Sequence, residues 1–318
     1  MSKTPEKLPV PDTVENMAYK NINIDGKVFT HVKAREFSPV SIYKGGNYFL
    51  KTGPKDILEK ELNFQKHLVE LGFPVPKVIT EGEEDGTLYF IEESLGNDNL
   101  ENIFSQDMKE RKEISDEHFN QFLSITKIYA NSQIKTNTEC NGKEKFTKYL
   151  LRDDVMNEEI PKLTHKTNQA VKKAIDALSV FPTVLTHGDF HPSNLFPEGV
   201  IDLEGFSFAP MGYDLLTNIY TTYILFSSDK NNESRRMYNF TRQQINQYLS
   251  EIDEIFVVNG LPKLSEYKDH FIFLRLIWAT VRMHRWPKTQ MQRYELYEKI
   301  LDEYIKGNNI ENILINYK

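Results

Sequence analysis

The chain has 318 residues, with 46 Asp and Glu against 39 Lys and Arg, so its formal net charge is −7. Hydrophobic residues make up 39% and charged residues 27% of the sequence, which argues against a disordered chain and against a membrane protein. The acidic balance disfavours a general nucleic-acid-binding protein. The single cysteine, Cys140, excludes an internal disulfide and a thiolate-rich zinc site. We therefore predict a cytoplasmic protein that binds neither nucleic acid nor a membrane.

The first part of the chain is predicted to be rich in β-structure. Residues 1–20 are predicted to form a polar tail, and strands follow between Val28 and Lys51. A hairpin turn is predicted at Lys44-Gly45-Gly46, because glycine tolerates the positive φ of a tight turn. A helix is expected from about Lys55 to Leu71, and TLYFIEE (87–93) is expected to form another strand.

The rest of the chain is predicted to be mostly helical. Ser115 is a plausible N-cap before an apolar helical pattern, and a β-like stretch at 183–203 interrupts the helices. We predict an α+β protein with a small β-rich N-lobe (21–95) and a larger helical C-lobe (96–318).

One stretch, THGDFHPSNLFPEGVIDLEGF (186–206), holds the densest set of polar side chains within apolar sequence. Polar side chains in such a setting need hydrogen-bond partners or a bound cation. The residues concerned are His187, Asp189, His191, Asn194, Asp202 and Glu204.

The spacing in this stretch predicts a short hairpin. If the turn is Pro197-Glu198-Gly199, Leu195 pairs with Ile201 and Asn194 stands opposite Asp202. An amide oxygen and a carboxylate are hard ligands that suit Mg²⁺. Asp189, upstream on the approach loop, is then free to act as a base beside the metal.

A metallophosphatase is the alternative to this interpretation, because Asp189-Phe190-His191 also matches the D-x-H motif of enzymes that bind two metal ions. Such enzymes need further histidine ligands downstream. Only His270 and His284 follow His191, and neither lies in such a motif. We therefore rank a metallophosphatase below the interpretation in which Asp189 acts as a base beside Mg²⁺.

The segment H-G-D-F-H-P-S-N followed by V-I-D-L-E resembles the H-x-D-x-x-x-x-N…I-D signature of the aminoglycoside phosphotransferase and choline kinase group, which has a two-lobed, protein-kinase-like fold. The similarity continues at Tyr213-Asp214-Leu215 and at GFPVP (72–76). The resemblance implies that Asp189 is the catalytic base and that Asn194 and Asp202 bind Mg²⁺. It also implies supporting roles for four further residues: His187, His191, Glu204 and Asp214.

A kinase-like lobe needs a strand lysine for the ATP phosphates and a helix carboxylate that holds it. Lys51 ends the strand NYFLK. On the helix that follows, Glu61 falls about 40° from Ile57, near the middle of the apolar face. A carboxylate buried there needs a cation, and Lys51 is the candidate.

The remaining nucleotide contacts are expected from two segments. Ser38 belongs to the predicted nucleotide loop, which lacks the glycines that the resembling family commonly has there. Adenine is expected to dock mainly through backbone groups of the strand end, at Ile91, Glu92, Glu93 and Ser94.

The sequence thus predicts an ATP- and Mg²⁺-dependent kinase for a hydroxyl group of a small molecule. Residues 271–294 contain Arg275 and Arg282 but no Asp or Glu, which favours a neutral or anionic acceptor. A buried arginine there needs an anionic partner, either a protein carboxylate or the substrate. The alternatives are an aminoglycoside antibiotic kinase and a catalytically silent kinase-like binding module.

Overall fold

The computed structural model describes residues 21–34, 39–84, 86–137, 142–151, 153–224, 238–282 and 287–317. The described chain divides into two compact units. The first, here called the sheet unit, runs up to Leu62 and includes Val78–Ser94. The second, the helical unit, comprises Asn63–Lys77 and the chain from Leu95 onward.

The sheet unit is built on one antiparallel sheet with the strand order β1-β2-β3-β4-β6-β5. The elements of this part of the chain are β1 (Ile22–Ile24), β2 (Lys27–Ala34), β3 (Ser41–Gly45), β4 (Tyr48–Pro54), α1 (Lys55–Leu71), β5 (Val78–Glu84) and β6 (Thr87–Glu93). The β3–β4 hairpin lies where the glycine pair predicts it. Gly46, at φ +61°, and Asn47 form its turn, while Gly45 ends β3.

Helix α1 has the predicted bounds. Gly72, at φ +85°, ends it, and the amide of Phe73 donates to the Leu68 carbonyl at 2.9 Å, which satisfies an end-of-helix carbonyl. In the sheet unit, Leu58 and Leu62 pack in a cluster with Val40, Leu88 and Phe90. Ile57 is 37% exposed, so the buried face is narrower than the periodicity predicts.

The helical unit contains the remaining described helices and two short strand pairings. Its elements are α2 (Leu100–Arg111), α3 (Asp116–Ile134), α4 (Gly142–Leu150), α5 (Asp153–Glu159), α6 (Thr164–Ala177), β7 (Thr183–Thr186), β8 (Leu195–Phe196), β9 (Gly199–Val200), β10 (Ser207–Pro210), α7 (Tyr213–Ile224), α8 (Arg242–Val258), α9 (Lys268–Arg282), α10 (Pro287–Lys306) and α11 (Glu311–Asn316). Strand β7 pairs with β10, and β8 pairs with β9. The Ser115 side chain caps α3 as predicted, accepting from the His118 amide.

The core of the helical unit surrounds the segment that carries the polar residues. Helix α7 is buried along its whole length, and it packs against α9. The chain between β7 and α7, residues 187–212, lies next to this core through buried Phe190, Leu195 and Val200. No described helix is long and apolar enough to cross a bilayer. The α+β class predicted from the sequence is confirmed.

Candidate active site

The loop after β7 is anchored by Asp214, which lies buried at the start of α7. Its carboxylate accepts the backbone N–H of His187 at 2.7 Å and of Gly188 at 3.1 Å, and the Tyr129 hydroxyl at 2.6 Å. Burial raises the pKa of Asp214, and these three donors only partly offset the rise. The loop is therefore fixed through its main chain.

His187 joins this loop to the end of β9. It is 1% exposed; its Nδ1 accepts the Asp189 amide at 3.3 Å, and its Nε2 lies 2.8 Å from the Ile201 carbonyl oxygen. An amide needs an acceptor and a carbonyl needs a donor, so the ring carries its proton on Nε2. His187 thus holds the residues before Asp202 beside the loop that presents Asp189.

The Asp189 carboxylate lies between two cationic or polar groups. Oδ1 accepts from Arg275 Nη2 at 3.0 Å, and Oδ2 lies 3.2 Å from His191 Nε2. The Asp189 side chain is 41% exposed, whereas that of Arg275 is 1% exposed. Burial acts to raise the pKa of Asp189, but His191 and Arg275 outweigh it and hold the pKa well below its ordinary value. The carboxylate is therefore ionised at neutral pH.

The hairpin that carries the predicted metal ligands has a different register from the one predicted. Leu195 pairs with Val200 rather than with Ile201, and the Ile201 amide donates to the Asn194 carbonyl at 3.0 Å. Asn194 therefore does not stand opposite Asp202. The turn is Pro197-Glu198, and Gly199 belongs to β9.

The reason for this register is the close packing of Gly199. A Cβ at Gly199 would collide with the Pro74 carbonyl oxygen, and the next amide, of Val200, donates to that oxygen at 2.7 Å. The glycine is needed for a close approach of the GFPVP segment to β9, not for a turn.

Asn194 and Asp202 still provide atoms that suit a hard cation. Asn194 Nδ2 donates to the Asp189 carbonyl oxygen at 3.0 Å, so the amide oxygen is the atom left for a ligand. Asp202 is exposed and adopts φ +67°, ψ +58°, a left-handed conformation that Asp tolerates better than most residues. A free amide oxygen and an exposed carboxylate fit Mg²⁺, which takes its remaining ligands from water and phosphates.

In the sheet unit, Lys51 contacts two carboxylates. Its Nζ lies 3.0 Å from Glu61 Oε1 and 3.1 Å from Glu92 Oε2. It also lies 5.2 Å from the centroid of the Phe90 ring. Burial lowers the pKa of Lys51, but Glu92 and Glu61 outweigh it and raise the pKa, so the ammonium stays charged.

The contact with Glu92 was not predicted, since Glu92 was assigned only a backbone role. Lys51 pairs with Phe90 across β4 and β6, and Phe49 pairs with Glu92. Lys51 and Glu92 are therefore diagonal neighbours on one face of the sheet, within reach of long side chains. The strand register is the signal that predicts this contact.

The other predicted nucleotide residues have the following positions. Ile91 is buried in β6, with strand partners on both sides, and Glu93 is exposed. The Ser94 amide donates to the Asn47 carbonyl at 2.9 Å. Ser38 lies outside the described residues, as does the side chain of Glu204, whose backbone forms part of a short 3₁₀ turn.

Arg275 is the site residue whose partner the sequence left open. That partner is a protein carboxylate, Asp189, which lies 86 positions earlier in the chain. The Arg275 guanidinium lies 3.8 Å from the centroid of the Trp278 ring, and the Trp278 indole donates to the Tyr149 hydroxyl at 2.7 Å. The side chain of Arg282 lies outside the described residues.

A family model identifies the class of this α+β protein as a phosphotransferase. The chain belongs to the phosphotransferase enzyme family (APH), whose model matches residues 40–243. The resemblance found in the sequence is thereby confirmed. No curated protein sequence matches the chain.

Solved structures similar to the chain include two kinds of small-molecule kinase. Aminoglycoside phosphotransferase APH(3'')-Id from Streptomyces rimosus, in complex with ADP and streptomycin, is 13% identical with a TM-score of 0.47, covering 79% of this chain and 92% of that one. An ethanolamine kinase from Plasmodium vivax is 13% identical with a TM-score of 0.49, covering 88% and 81%. A choline/ethanolamine kinase family protein from Mesorhizobium loti is 12% identical with a TM-score of 0.46, covering 90% of each chain.

Proposed function

We propose that the protein is an ATP- and Mg²⁺-dependent kinase that phosphorylates a hydroxyl group of a small molecule. The observation that carries the proposal is the loop anchored by Asp214, which presents a partly exposed, ionised Asp189 next to Asn194. Membership of the phosphotransferase family supports the reaction class. A cytoplasmic location, where ATP is available, is part of the proposal.

The nucleotide is bound, in this proposal, by the charged lysine of the sheet unit. Lys51 neutralises the α- and β-phosphates, while Glu61 and Glu92 fix the position of its ammonium. Adenine docks at residues 91–94 and the phosphates at the loop that contains Ser38. Asn194 and Asp202 hold Mg²⁺, which when bound neutralises charge on the phosphates.

Asp189 acts on the acceptor. Its carboxylate accepts a hydrogen bond from the hydroxyl group and takes the proton as the hydroxyl oxygen bonds to the γ-phosphorus and the bond to the leaving ADP oxygen breaks. A carboxylate with a lowered pKa is a weak base but is always ionised at neutral pH. Its main contribution is therefore to orient the hydroxyl, as expected for a loose phosphoryl-transfer transition state.

The acceptor is proposed to be neutral or anionic. The charge of Asp189 is balanced by Arg275, which is buried 3.0 Å away. A polycationic acceptor would approach a base whose charge is already compensated, so it gains little attraction there. An aminoglycoside acceptor is the opposing outcome that the experiment must be able to detect.

The test is a panel of acceptors scored for ADP release that depends on the acceptor. The panel contains neutral polyols and sugars, hydroxy acids, amino alcohols and aminoglycosides, each with MgATP, and ³¹P NMR then identifies a phosphate ester. The Asp189→Ala protein is the control for contaminating kinases. Ester formation with a neutral or anionic compound supports the proposal, and ATP hydrolysis without any ester contradicts it. Efficient phosphorylation of an aminoglycoside refutes the proposed acceptor class.

A further inference from the structure

Arg275 contacts two successive residues of the catalytic loop with the two ends of its guanidinium group. Nη1 donates to the Gly188 carbonyl oxygen and Nη2 donates to Asp189 Oδ1, both at 3.0 Å. The guanidinium is planar and rigid, so these two bonds define the direction of the Asp189 side chain relative to its own backbone. A lysine at this position would supply the charge but not this fork.

The surroundings of Arg275 prevent it from moving away from the loop. Its side chain is 1% exposed, and the Trp278 ring covers the guanidinium at 3.8 Å from the centroid. Trp278 stands three positions later on α9, so both side chains lie on the same face of the helix. The hydrogen bond from Trp278 to the Tyr149 hydroxyl holds the ring in place.

The two oxygens of Asp189 therefore differ in their environment. Oδ1 is bound by a buried group with no room to withdraw. Oδ2 is bound by His191, whose side chain is 15% exposed and whose other nitrogen lies 2.8 Å from the Ser193 hydroxyl. A molecule that approaches the exposed side of Asp189 can compete for Oδ2 but not for Oδ1.

We propose that Arg275 is a positioning residue that fixes Asp189 Oδ1, so that Oδ2 is the oxygen that meets the acceptor hydroxyl. The inference rests on the proposed kinase function and assigns this residue a part in it. The competing explanation is that Arg275 only fills and stabilises the helical unit. The two differ in one respect: a positioning residue acts through Asp189, whereas a structural residue acts whether or not Asp189 is present.

The first experiment measures phosphoryl transfer in two backgrounds. Arg275→Met is introduced into the natural protein and into Asp189→Ala, and both are assayed with MgATP and the acceptor from the panel. In the natural background we expect kcat to fall about 10- to 100-fold, since small displacements of a catalytic group cost that much, while KM for MgATP changes less than about twofold. In the Asp189→Ala background we expect no further loss. Equal losses in both backgrounds would overturn the proposal.

Two variants control for a general effect of removing a buried arginine. Arg293 is also fully buried, on α10, and is not among the partners of Asp189. Any loss of kcat caused by Arg293→Met should be the same in the natural protein and in Asp189→Ala, because Arg293 does not act through Asp189. Arg275→Lys keeps the charge without the fork, so it should fold but recover only part of kcat. Full recovery by lysine would show that charge alone matters and would overturn the positioning role.

The second experiment does not depend on activity. The unfolding midpoints of Arg275→Lys, Asp189→Ala and the double variant are measured, and the pairing predicts that the two shifts are not additive. Additive shifts would overturn the contact itself. If the natural protein phosphorylates no acceptor, the proposed function fails, and this cycle still decides whether Arg275 and Asp189 are coupled.

Discussion

Replacing Lys51 with Met tests the ion-pair cluster of the sheet unit. The side chains of Lys51, Glu61 and Glu92 are 12%, 13% and 7% exposed, so the substitution removes the Lys51 ammonium from two nearly buried carboxylates. Removing one partner of a buried ion pair costs about 3–5 kcal/mol. Because these groups keep slight exposure, we expect the free energy of unfolding to fall by about 3 kcal/mol.

The structure also predicts how strongly three variants of this cluster, Lys51→Met, Glu61→Gln and Glu92→Gln, are destabilised relative to one another. Glu61→Gln leaves Lys51 paired with Glu92 at 3.1 Å, and Glu92→Gln leaves it paired with Glu61 at 3.0 Å. Each should therefore lower the free energy of unfolding by less than Lys51→Met does, near the lower end of the ~1.5–3 kcal/mol typical of one hydrogen bond to a charged group. Lys51→Met should be the most destabilising of the three, because it alone removes both contacts of the ammonium at once.

The contribution of Lys51 to the stability of the folded protein depends on pH in a predictable direction. In the natural protein the pKa of Lys51 is raised. Its contribution to stability is therefore complete below pH 10.5 and is lost as pH rises through the raised pKa.

The assay is urea unfolding followed by circular dichroism, at pH 7 and at alkaline pH, where the contribution of Lys51 is lost. Lys55→Met is the matched control, since Lys55 pairs with Glu83 at 2.7 Å but both side chains are exposed. Exposed ion pairs contribute little to stability, so Lys55→Met should cost far less than Lys51→Met. The reasoning is refuted if Lys51→Met lowers the free energy of unfolding by no more than Glu61→Gln does.

Three further predictions concern the catalytic loop. Asp189→Ala should lower phosphoryl transfer by about 10²–10⁴-fold while calorimetry shows unchanged MgATP binding; near-normal turnover would exclude it as the base. Asp202→Asn should weaken MgATP binding and turnover together, with partial recovery in a Mg²⁺ titration, and unchanged affinity would exclude it as a ligand. Asp214→Asn should cost about 1–3 kcal/mol in urea unfolding, because an amide NH₂ would face the N–H of His187 or Gly188. An equally stable variant would contradict the anchoring role.

The sequence pattern was sufficient to predict helices whose ends are determined by neighbouring residues in the chain. The bounds of α1 follow from its periodicity and from Gly72, and the cap of α3 follows from Ser115. The segment that contains Asp189 and Asn194 was recognisable because it concentrates polar groups in apolar sequence. Family membership then confirmed the resemblance.

The errors and omissions arise from contacts between distant parts of the chain. Gly199 resembles a turn residue in sequence, and only its contact with Pro74 shows that it lies in a strand. The sequence required a partner for Arg275 but could not select Asp189, because helix periodicity says nothing about residues on other elements. Glu92 reaches Lys51 only through a strand register that composition does not determine.

The way in which Asp214 holds the loop after β7 bears on how the protein can be redesigned. Two of its three bonds go to main-chain N–H groups, which every residue except proline possesses. The anchor is therefore indifferent to the side chains that the loop displays. We expect substitutions of His191, whose Nε2 lies 3.2 Å from Asp189 Oδ2, to leave the loop backbone in position, so a library at this single codon is a natural way to test whether it influences the choice of acceptor.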